Sequence, residues 1–265
     1  QASAAARLGA QVCMLGAVGE DDNANFLLRK LDEAGVDTAE ILHEEGVSGT
    51  TIITVDPEGK NTIVYSPGSN AKVSAGYVQS HQDVISEAKV LGLCLESPLA
   101  TVIAAAQTGH EAGVTVLLND SPFIDELPHE LIEAVDILLV SQHEVAQLLG
   151  MPDEDVSTID WFDAVSRFED YGFDRVVVTL GASGSIVIEN GNWHRVSAVQ
   201  VKSVDATGCI DSFMGTVLAG LAAGYTLLQS AQMGSYVSAY AATKLGAQSA
   251  YGSATEVINY FSDAD

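Results

Sequence analysis

The sequence predicts an α/β fold with three layers, in which helices cover both faces of a mostly parallel sheet and a small antiparallel flap stands outside it. Two observations support this expectation. Short runs of Val, Ile and Leu alternate with amphipathic segments of helical period, as in sheets whose strands are buried on both faces. In addition, 265 residues with 47% hydrophobic side chains suffice for one large core.

The first elements follow this alternation. The patterns predict a strand at 11–18, a helix at 23–35 and a second strand at 39–45. Next, two β-branched runs within 50–66 flank a Pro-Glu-Gly turn at 57–59 and predict an antiparallel hairpin. We therefore expect residues 46–66 to form the flap, and residues 1–45 together with 67–265 to form the main domain.

After the hairpin the alternation of strands and helices returns. Strands are predicted at 88–95, 114–119, 136–141 and 174–181, and helices at 98–113, 128–135, 143–150 and 157–172. A second hairpin is predicted over 184–196, with its turn at Asn190 and Gly191. The last predicted elements are helices at 211–223, 227–244 and 254–262.

The charge balance argues against two classes of partner. Asp and Glu number 36 against 11 Lys and Arg, which gives a net charge of −25. Such a surface repels nucleic-acid backbones and anionic lipid headgroups, so we expect neither as a partner. The acidic surface is compatible with an acidic cytosolic proteome or with a salt-rich habitat. The sequence has no long apolar run and no secretory signal pattern, and we expect a cytoplasmic protein.

Polar residues follow the ends of several predicted strands and precede one helix. They lie at 119–121, 141–144 and 179–184, and at 205–211 before the apolar helix. In an open α/β sheet, ligands bind beyond the carboxyl ends of the strands, where helix N-termini direct free amides into the crevice. We therefore expect ligand chemistry at these four segments.

The segment VDATGCIDSF at 204–213 carries the strongest chemical signal. Its turn at Gly208 places successive N–H groups at a helix start, where they can hold a phosphate oxygen. Asp211 in that position is either an ordinary helix cap or a general base. A second glycine loop at 179–184 and the carboxylate of Glu144 favour the base, because amides for phosphate and carboxylates for Mg²⁺ and for proton transfer suggest phosphoryl transfer.

Seven motifs along the chain share an order with one known family. They are QASAAARLGAQVCMLGAVGED from residue 1, SPGSNA after the hairpin, LESPL at 95–99, SQHE at 141–144, TLGASG at 179–184, VDATGCIDSF at 204–213 and KLGAQSA at 244–250. In this order they resemble the ribokinase or PfkB-type carbohydrate kinase family, and within it the ribokinases. The resemblance implies a ribokinase-like three-layer α/β/α sandwich with a small β lid, and an enzyme that uses ATP, Mg²⁺ and K⁺.

The resemblance also implies roles for individual residues. Asp211 resembles the base that accepts the proton of the sugar hydroxyl, and it would share an anion hole of backbone amides with Gly208, Cys209 and Ile210. Glu96 resembles a carboxylate beside the sugar. Asp211 and Glu96 would therefore both contact the substrate.

The nucleotide side is implied in the same way. Glu144 resembles the residue that acts on Mg²⁺ through water. Asp205 and Thr207 resemble residues that help to hold a monovalent cation, with carbonyl groups near 242–247 completing its shell. The residues that resemble the nucleotide loop and its surroundings are Ser141, Thr179, Gly181, Gly184 and Ser235. In ribokinases the hairpin is part of a lid that also forms a dimer contact, which implies a homodimer.

Three positions depart from the family pattern. Ile210 stands where a glycine usually precedes the base, Ser141 replaces the Asn of Asn-x-x-Glu, and Ser235 stands where Asn or His is usual. A β-branched side chain at position 210 resists a positive φ and adds bulk beside the phosphate. In addition, residue 1 corresponds to the position directly after the family's Gly-Gly-Lys-Gly-Ala-Asn stretch. We therefore expect the family's first strand and half of its sugar site to have no counterpart within these 265 residues.

These observations predict ATP-dependent phosphorylation of a sugar hydroxyl, with ribose converted to ribose 5-phosphate as the main expectation. The substitution at Ile210 leaves open a catalytically impaired homologue that binds sugar or nucleotide. A nucleoside kinase is a further alternative within the enzyme class, and it would need a larger apolar pocket under the lid.

Overall fold

The first elements of the chain form two short parallel ladders and two helices. In the computed structural model, which describes residues 1–55, 61–150 and 159–262, they are α1 (Ala2–Arg7), β1 (Val12–Cys13), β2 (Ala17–Gly19), α2 (Asp22–Ala34), β3 (Val36–Asp37) and β4 (Leu42–Glu44). β1 pairs with β3, and β2 pairs with β4. The continuous strand predicted at 11–18 is therefore wrong, because the chain changes its pairing partner after Cys13. The strand predicted at 39–45 is shorter and begins at Leu42.

The hairpin forms a sheet of its own. Its strands β5 (Thr50–Val55) and β6 (Asn61–Ser66) pair antiparallel, with Ile53 opposite Ile63 and Ile52 opposite Val64. Within the described part of the chain, no other strand joins this sheet. The turn predicted at 57–59 lies outside the described residues. All four of these aliphatic side chains are exposed, so the hairpin presents apolar surface on both faces.

The rest of the chain builds the main α/β body. It contains a 3₁₀ turn at Gly68–Lys72 and then α3 (Ala75–Ser80), α4 (Gln82–Ser86), β7 (Val90–Leu93), α5 (Leu99–Glu111), β8 (Thr115–Asn119), α6 (His129–Ala134), β9 (Ile137–Ser141), α7 (Gln142–Leu148), α8 (Trp161–Tyr171), β10 (Arg175–Thr179), β11 (Ser185–Glu189), β12 (Asn192–Val196), α9 (Cys209–Ala222), α10 (Leu227–Ala242) and α11 (Ala254–Ser262). Residues 157 and 158 of the predicted helix lie outside the described residues.

The central sheet has six strands in the order β12-β11-β10-β9-β8-β7. Strands β7 to β10 run parallel, whereas β11 and β12 are antiparallel additions at one edge. This arrangement confirms the predicted mostly parallel sheet and the second hairpin. Its turn residues Asn190 and Gly191 have φ values of 55° and 70°, as a type I′ turn requires.

Helices cover both faces of the central sheet. Successive side chains of a strand point to opposite faces, so Leu117 and Leu118 in β8 belong to different cores. Leu118 packs with Phe168 and other side chains from α5 to α8. Leu117 packs with Met214 and Val217 of α9. The predicted three layers are therefore confirmed. No described helix combines the length and apolar character needed to cross a lipid bilayer.

Candidate active site

A cavity of about 420 Å³ lies beyond the carboxyl ends of β9 and β10, within the size range of small-molecule sites. Because these strands are parallel neighbours, their last residues Ser141 and Thr179 stand side by side. Seven of the predicted site residues line the cavity, namely Ser141, Thr179, Gly181, Gly184, Cys209, Ile210 and Ser235. None of the described lining residues is Lys or Arg, so an anionic ligand would depend on backbone amides or on a metal ion.

The glycine loop after β10 needs glycine at two positions. Gly181 and Gly184 have φ values of 55° and 97°, in the left-handed half of φ space that other residues avoid. A Cβ atom on Gly184 would lie 2.1 Å from the carbonyl oxygen of Val196. The Leu180 amide also donates to the Gly184 carbonyl at 2.8 Å. The loop is therefore held tightly against the end of β12, and its backbone borders the cavity.

Ser141 and Glu144 close the start of α7 as a capping box. The Ser141 hydroxyl accepts the Glu144 N–H, and the Glu144 carboxylate accepts the Ser141 N–H through Oε2. These bonds satisfy two helix-terminal donors and hold Glu144 at the strand end next to the cavity. Burial raises the pKa of nearby Asp120 to about 6, and the charge of Glu144 adds to this effect. Among the described residues, no hydrogen bond engages the Oε1 atom of Glu144.

The loop before α9 is built around one left-handed residue. Gly208 has a φ of 75° and forms the N-cap of α9, and the hydroxyl of Tyr251 donates to its carbonyl oxygen at 3.0 Å. Asp205 accepts the amides of Thr207 and Gly246, both at 2.9 Å. These backbone hydrogen bonds lower the pKa of Asp205. The carboxylate of Asp205 therefore joins the loop to the turn after α10.

The strain that a β-branched residue would suffer at a positive φ does not arise at Ile210. Ile210 is the second residue of α9 and has no positive φ, because Gly208 alone supplies the left-handed turn. Its side chain is 44% exposed and lines the cavity. The β-branched residue thus fits its backbone without strain, and its bulk is the remaining difference from a glycine.

Within the described residues, two backbone amides at the start of α9 have no hydrogen-bond partner. The Cys209 amide donates to the Ala206 carbonyl at 3.1 Å, and the first i to i−4 bond of the helix runs from Ser212 to Gly208 at 2.9 Å. The amides of Ile210 and Asp211 precede that bond, so they have no intrahelical partner. Together with the positive end of the helix dipole, they are suited to bind an anion. The Cys209 amide was also expected in the anion hole, but it already donates to the Ala206 carbonyl and is not available to an anion.

The carboxylate of Asp211 faces a second polar group beyond the end of β7. The side-chain amide of Gln1 donates to Oδ1 of Asp211 at 3.0 Å and also contacts Cys94. Burial raises the pKa of Glu96, and the negative charge of Asp211 raises it further. The structure thus brings Glu96 and Asp211 into one electrostatic neighbourhood, and their shared role on a sugar side stays a prediction.

Residues 1–253 match the family model described as pfkB family carbohydrate kinase. The chain belongs to this family. Ribokinase from Schizosaccharomyces pombe is 35% identical to this pfkB kinase over 98% of the chain and 84% of its own length. Ribokinase from Haemophilus influenzae is 31% identical over 100% of the chain and 86% of its own length. These matches confirm the family predicted from the seven motifs.

The solved structures confirm the predicted ribokinase-like fold. Arabidopsis thaliana ribokinase, solved in complex with ribose and ATP, superposes with a TM-score of 0.88 at 24% identity, covering 97% of this chain and 84% of that protein. Ribokinase from Thermotoga maritima superposes with a TM-score of 0.85 at 24% identity, covering 98% and 85% of the two chains.

Two residues beside Asp211 were missed by sequence reasoning. Gln1 and Cys94 contact each other beside Asp211 although 93 positions separate them in the chain. The available signal for Gln1 was its place at the start of a family motif, and Cys94 precedes the LESPL motif by one residue. Neither residue has a spacing to Asp211 that a sequence pattern could reveal.

Proposed function

We propose that this pfkB kinase transfers the γ-phosphoryl group of ATP to a hydroxyl of ribose and produces ribose 5-phosphate. The observation that carries the proposal is the position of Asp211 in the first turn of α9, next to the free amides of positions 210 and 211. The relatives from S. pombe and H. influenzae are ribokinases, and the A. thaliana neighbour was solved with ribose and ATP.

Asp211 acts as the general base in this proposal. Its carboxylate accepts the proton of the attacking hydroxyl as the bond to phosphorus forms. The amides of Ile210 and Asp211 donate to the transferring phosphoryl group, and the dipole of α9 favours the negative charge there. On the other side, Glu96 accepts hydrogen bonds from hydroxyl groups of the sugar. The base therefore stands between a carboxylate that binds sugar and amides that bind phosphate.

The cavity beyond β9 and β10 holds the nucleotide in this proposal. Gly181, Ala182 and Gly184 of the glycine loop border it, together with Thr179 and Ser235. Mg²⁺, when bound with ATP, neutralises charge on the β- and γ-phosphates, and the fixed carboxylate of Glu144 can hold one of its waters. Such a contribution matters in a cavity whose described lining contains no cationic side chain of Lys or Arg.

A monovalent cation such as K⁺ is the finer part of the cofactor proposal. Both carboxylate oxygens of Asp205 already accept backbone N–H groups, from Thr207 and Gly246. The carbonyl oxygens of this junction are therefore the more suitable ligands, and oxygen donors suit a hard cation. Turnover measured in KCl against equal concentrations of choline chloride tests this part.

The hairpin supports a proposed homodimer. Tyr65 in β6 donates through its hydroxyl to the Glu96 carbonyl at 3.2 Å, so the hairpin face that carries Tyr65, Ile53 and Ile63 is directed toward the sugar side. Ile52 and Val64 lie on the opposite face, and each is 60% exposed. A second copy of the hairpin would remove these side chains from water, which favours association. A cytoplasmic location, where ATP is available, remains a prediction.

ADP release in the presence of Mg²⁺-ATP and KCl tests the reaction, with ribose, 2-deoxyribose and adenosine compared as acceptors. We expect the highest kcat/KM with ribose and a loss of about 10²–10⁴-fold in Asp211→Asn. Asp163→Asn is the matched control, because Asp163 is a carboxylate in the first turn of another helix, α8.

Two results would contradict the proposal. A preference for adenosine would indicate a nucleoside kinase instead. Ribose binding detected by calorimetry without ADP release would indicate the impaired homologue, which the unstrained backbone at Ile210 does not favour.

A further inference from the structure

Gln1 and Asp211 are joined by a direct hydrogen bond across 210 positions of the chain. The Nε2 atom of Gln1 donates to Oδ1 of Asp211 at 3.0 Å. Within the described part of the chain, no hydrogen bond engages Oδ2 of Asp211. One carboxylate oxygen is therefore held, and the other is available to the substrate hydroxyl.

The amide of Gln1 is itself oriented by Cys94. The Sγ atom of Cys94 lies 3.2 Å from Oε1 of Gln1, to which the thiol can donate, and 3.1 Å from Nε2. Burial raises the pKa of Cys94 to about 12, so its thiol keeps the proton that it donates. A thiol donor at Oε1 favours the amide orientation in which Nε2 points toward Asp211.

The backbone of Gln1 is fixed by the packing of α1 against α9. A Cβ atom on Gly215 in α9 would lie 2.4 Å from the carbonyl oxygen of Gln1 and 2.8 Å from Cβ of Ala4, so the two helices approach as closely as glycine allows. Ala4 is 1% exposed and packs with Tyr251. Both ends of the contact between Gln1 and Asp211 are therefore anchored.

We infer that Gln1 is a positioning residue, which holds the Asp211 carboxylate in the rotamer that presents Oδ2 to the sugar hydroxyl, with Cys94 setting the orientation of its amide. The inference rests on the proposed role of Asp211 as base. A carboxylate attached to a single Cβ rotates freely in the absence of a partner, and base catalysis depends on the aligned geometry. Residues that orient metal ligands in this way contribute about 10–100-fold to activity, and we expect a loss of the same order for a residue that orients a base.

Four substitutions test the inference in ADP release with ribose. Gln1→Leu removes the hydrogen bond at similar size, and we expect kcat to fall about 10–100-fold while KM for ATP stays within about twofold. Gln1→Glu keeps the size but places a second carboxylate beside Asp211. Because like charges raise a carboxyl pKa, the acid limb of its pH profile should move to higher pH. Cys94→Ser keeps a donor and should resemble the wild type more closely than Cys94→Ala does.

Ser3→Ala is the matched control, because Ser3 lies in α1 and bonds Gln248 rather than Asp211. Melting temperatures show whether each variant is folded. A Gln1→Leu variant with wild-type kcat, or a Ser3→Ala variant with an equal loss, would overturn the inference. If Gln1→Leu does not fold, an unshifted acid limb in Gln1→Glu would overturn it. Full activity in Asp211→Asn would instead overturn the proposed base, so the two failures are distinguishable.

Discussion

The substitution Gly208→Ala addresses the turn that places the proposed anion hole. Gly208 has a φ of 75°, and a Cβ atom there would lie 2.4 Å from the hydroxyl oxygen of Tyr251 and 2.8 Å from Cβ of Ala247. The left-handed conformation costs about 1–2 kcal/mol for alanine. Relief of the two contacts adds about 1–3 kcal/mol. We expect a loss of about 2–5 kcal/mol in the free energy of unfolding.

Gly224→Ala at the other end of α9 is the matched control. Gly224 has a φ of 91°, but a Cβ atom there would meet nothing within 4 Å. It should carry the conformational cost alone, about 1–2 kcal/mol. At about 2–4 °C per kcal/mol for a chain near this size, Gly224→Ala should lower the Tm by about 2–8 °C and Gly208→Ala by about 4–20 °C.

The activity of the two variants should diverge more than their stability. A shift of Gly208 moves the amides of Ile210 and Asp211, which begin the helix immediately after it, and small misplacements at a reacting centre can cost about 100-fold. Gly224→Ala should keep wild-type kcat. Differential scanning fluorimetry and ADP release measure both quantities. Equal effects of the two substitutions on Tm and kcat would refute the reasoning.

Three further predictions follow from the described geometry. Ile210→Gly should change kcat by less than about 10-fold, because Ile210 already has a helical backbone; a gain near 100-fold in ADP release would contradict this. Burial raises the pKa of Asp120 from 3.8 to about 6, so the folded state becomes less stable as pH rises through this range. In urea unfolding, Asp120→Asn should therefore raise the free energy of unfolding by up to about 3 kcal/mol at pH 8 and by less at pH 5. Ile52→Lys should yield monomers in light scattering, whereas Ile258→Lys, at an exposed position of α11, should not. Unchanged association in Ile52→Lys would contradict the hairpin dimer.

Elements with a strong local pattern were predictable. The helices α5, α9 and α10 and the hairpin β11–β12 lie close to their predicted bounds, because side-chain periodicity and turn residues act over a few positions. The prediction of one strand at 11–18 was wrong because this segment depends on distant residues. Its break after Cys13 reflects a change of partner from β3 to β4, and strand pairing is a non-local property.

The family was identifiable from sequence, since the order of the seven motifs points to one family of kinases, and the same motifs supplied the candidate residues for its chemistry. The conformation at position 210 was not, because Gly208 takes the whole left-handed turn and only the folded loop reveals it. The contact of Gln1 with Asp211 was not identifiable either, because the two residues are 210 positions apart in the chain and only the folded structure brings their side chains to 3.0 Å.

The sequence by itself therefore determined the alternation of strands and helices and the candidate base Asp211, because secondary-structure propensity and motif spacing depend only on residues close together in the chain. The tertiary structure decided which groups stand around that base. The approach of α1 to α9 at Gly215 brings Gln1 to Asp211, and the parallel register of β9 and β10 brings Ser141 to Thr179. Both depend on packing between distant segments, which no local pattern encodes.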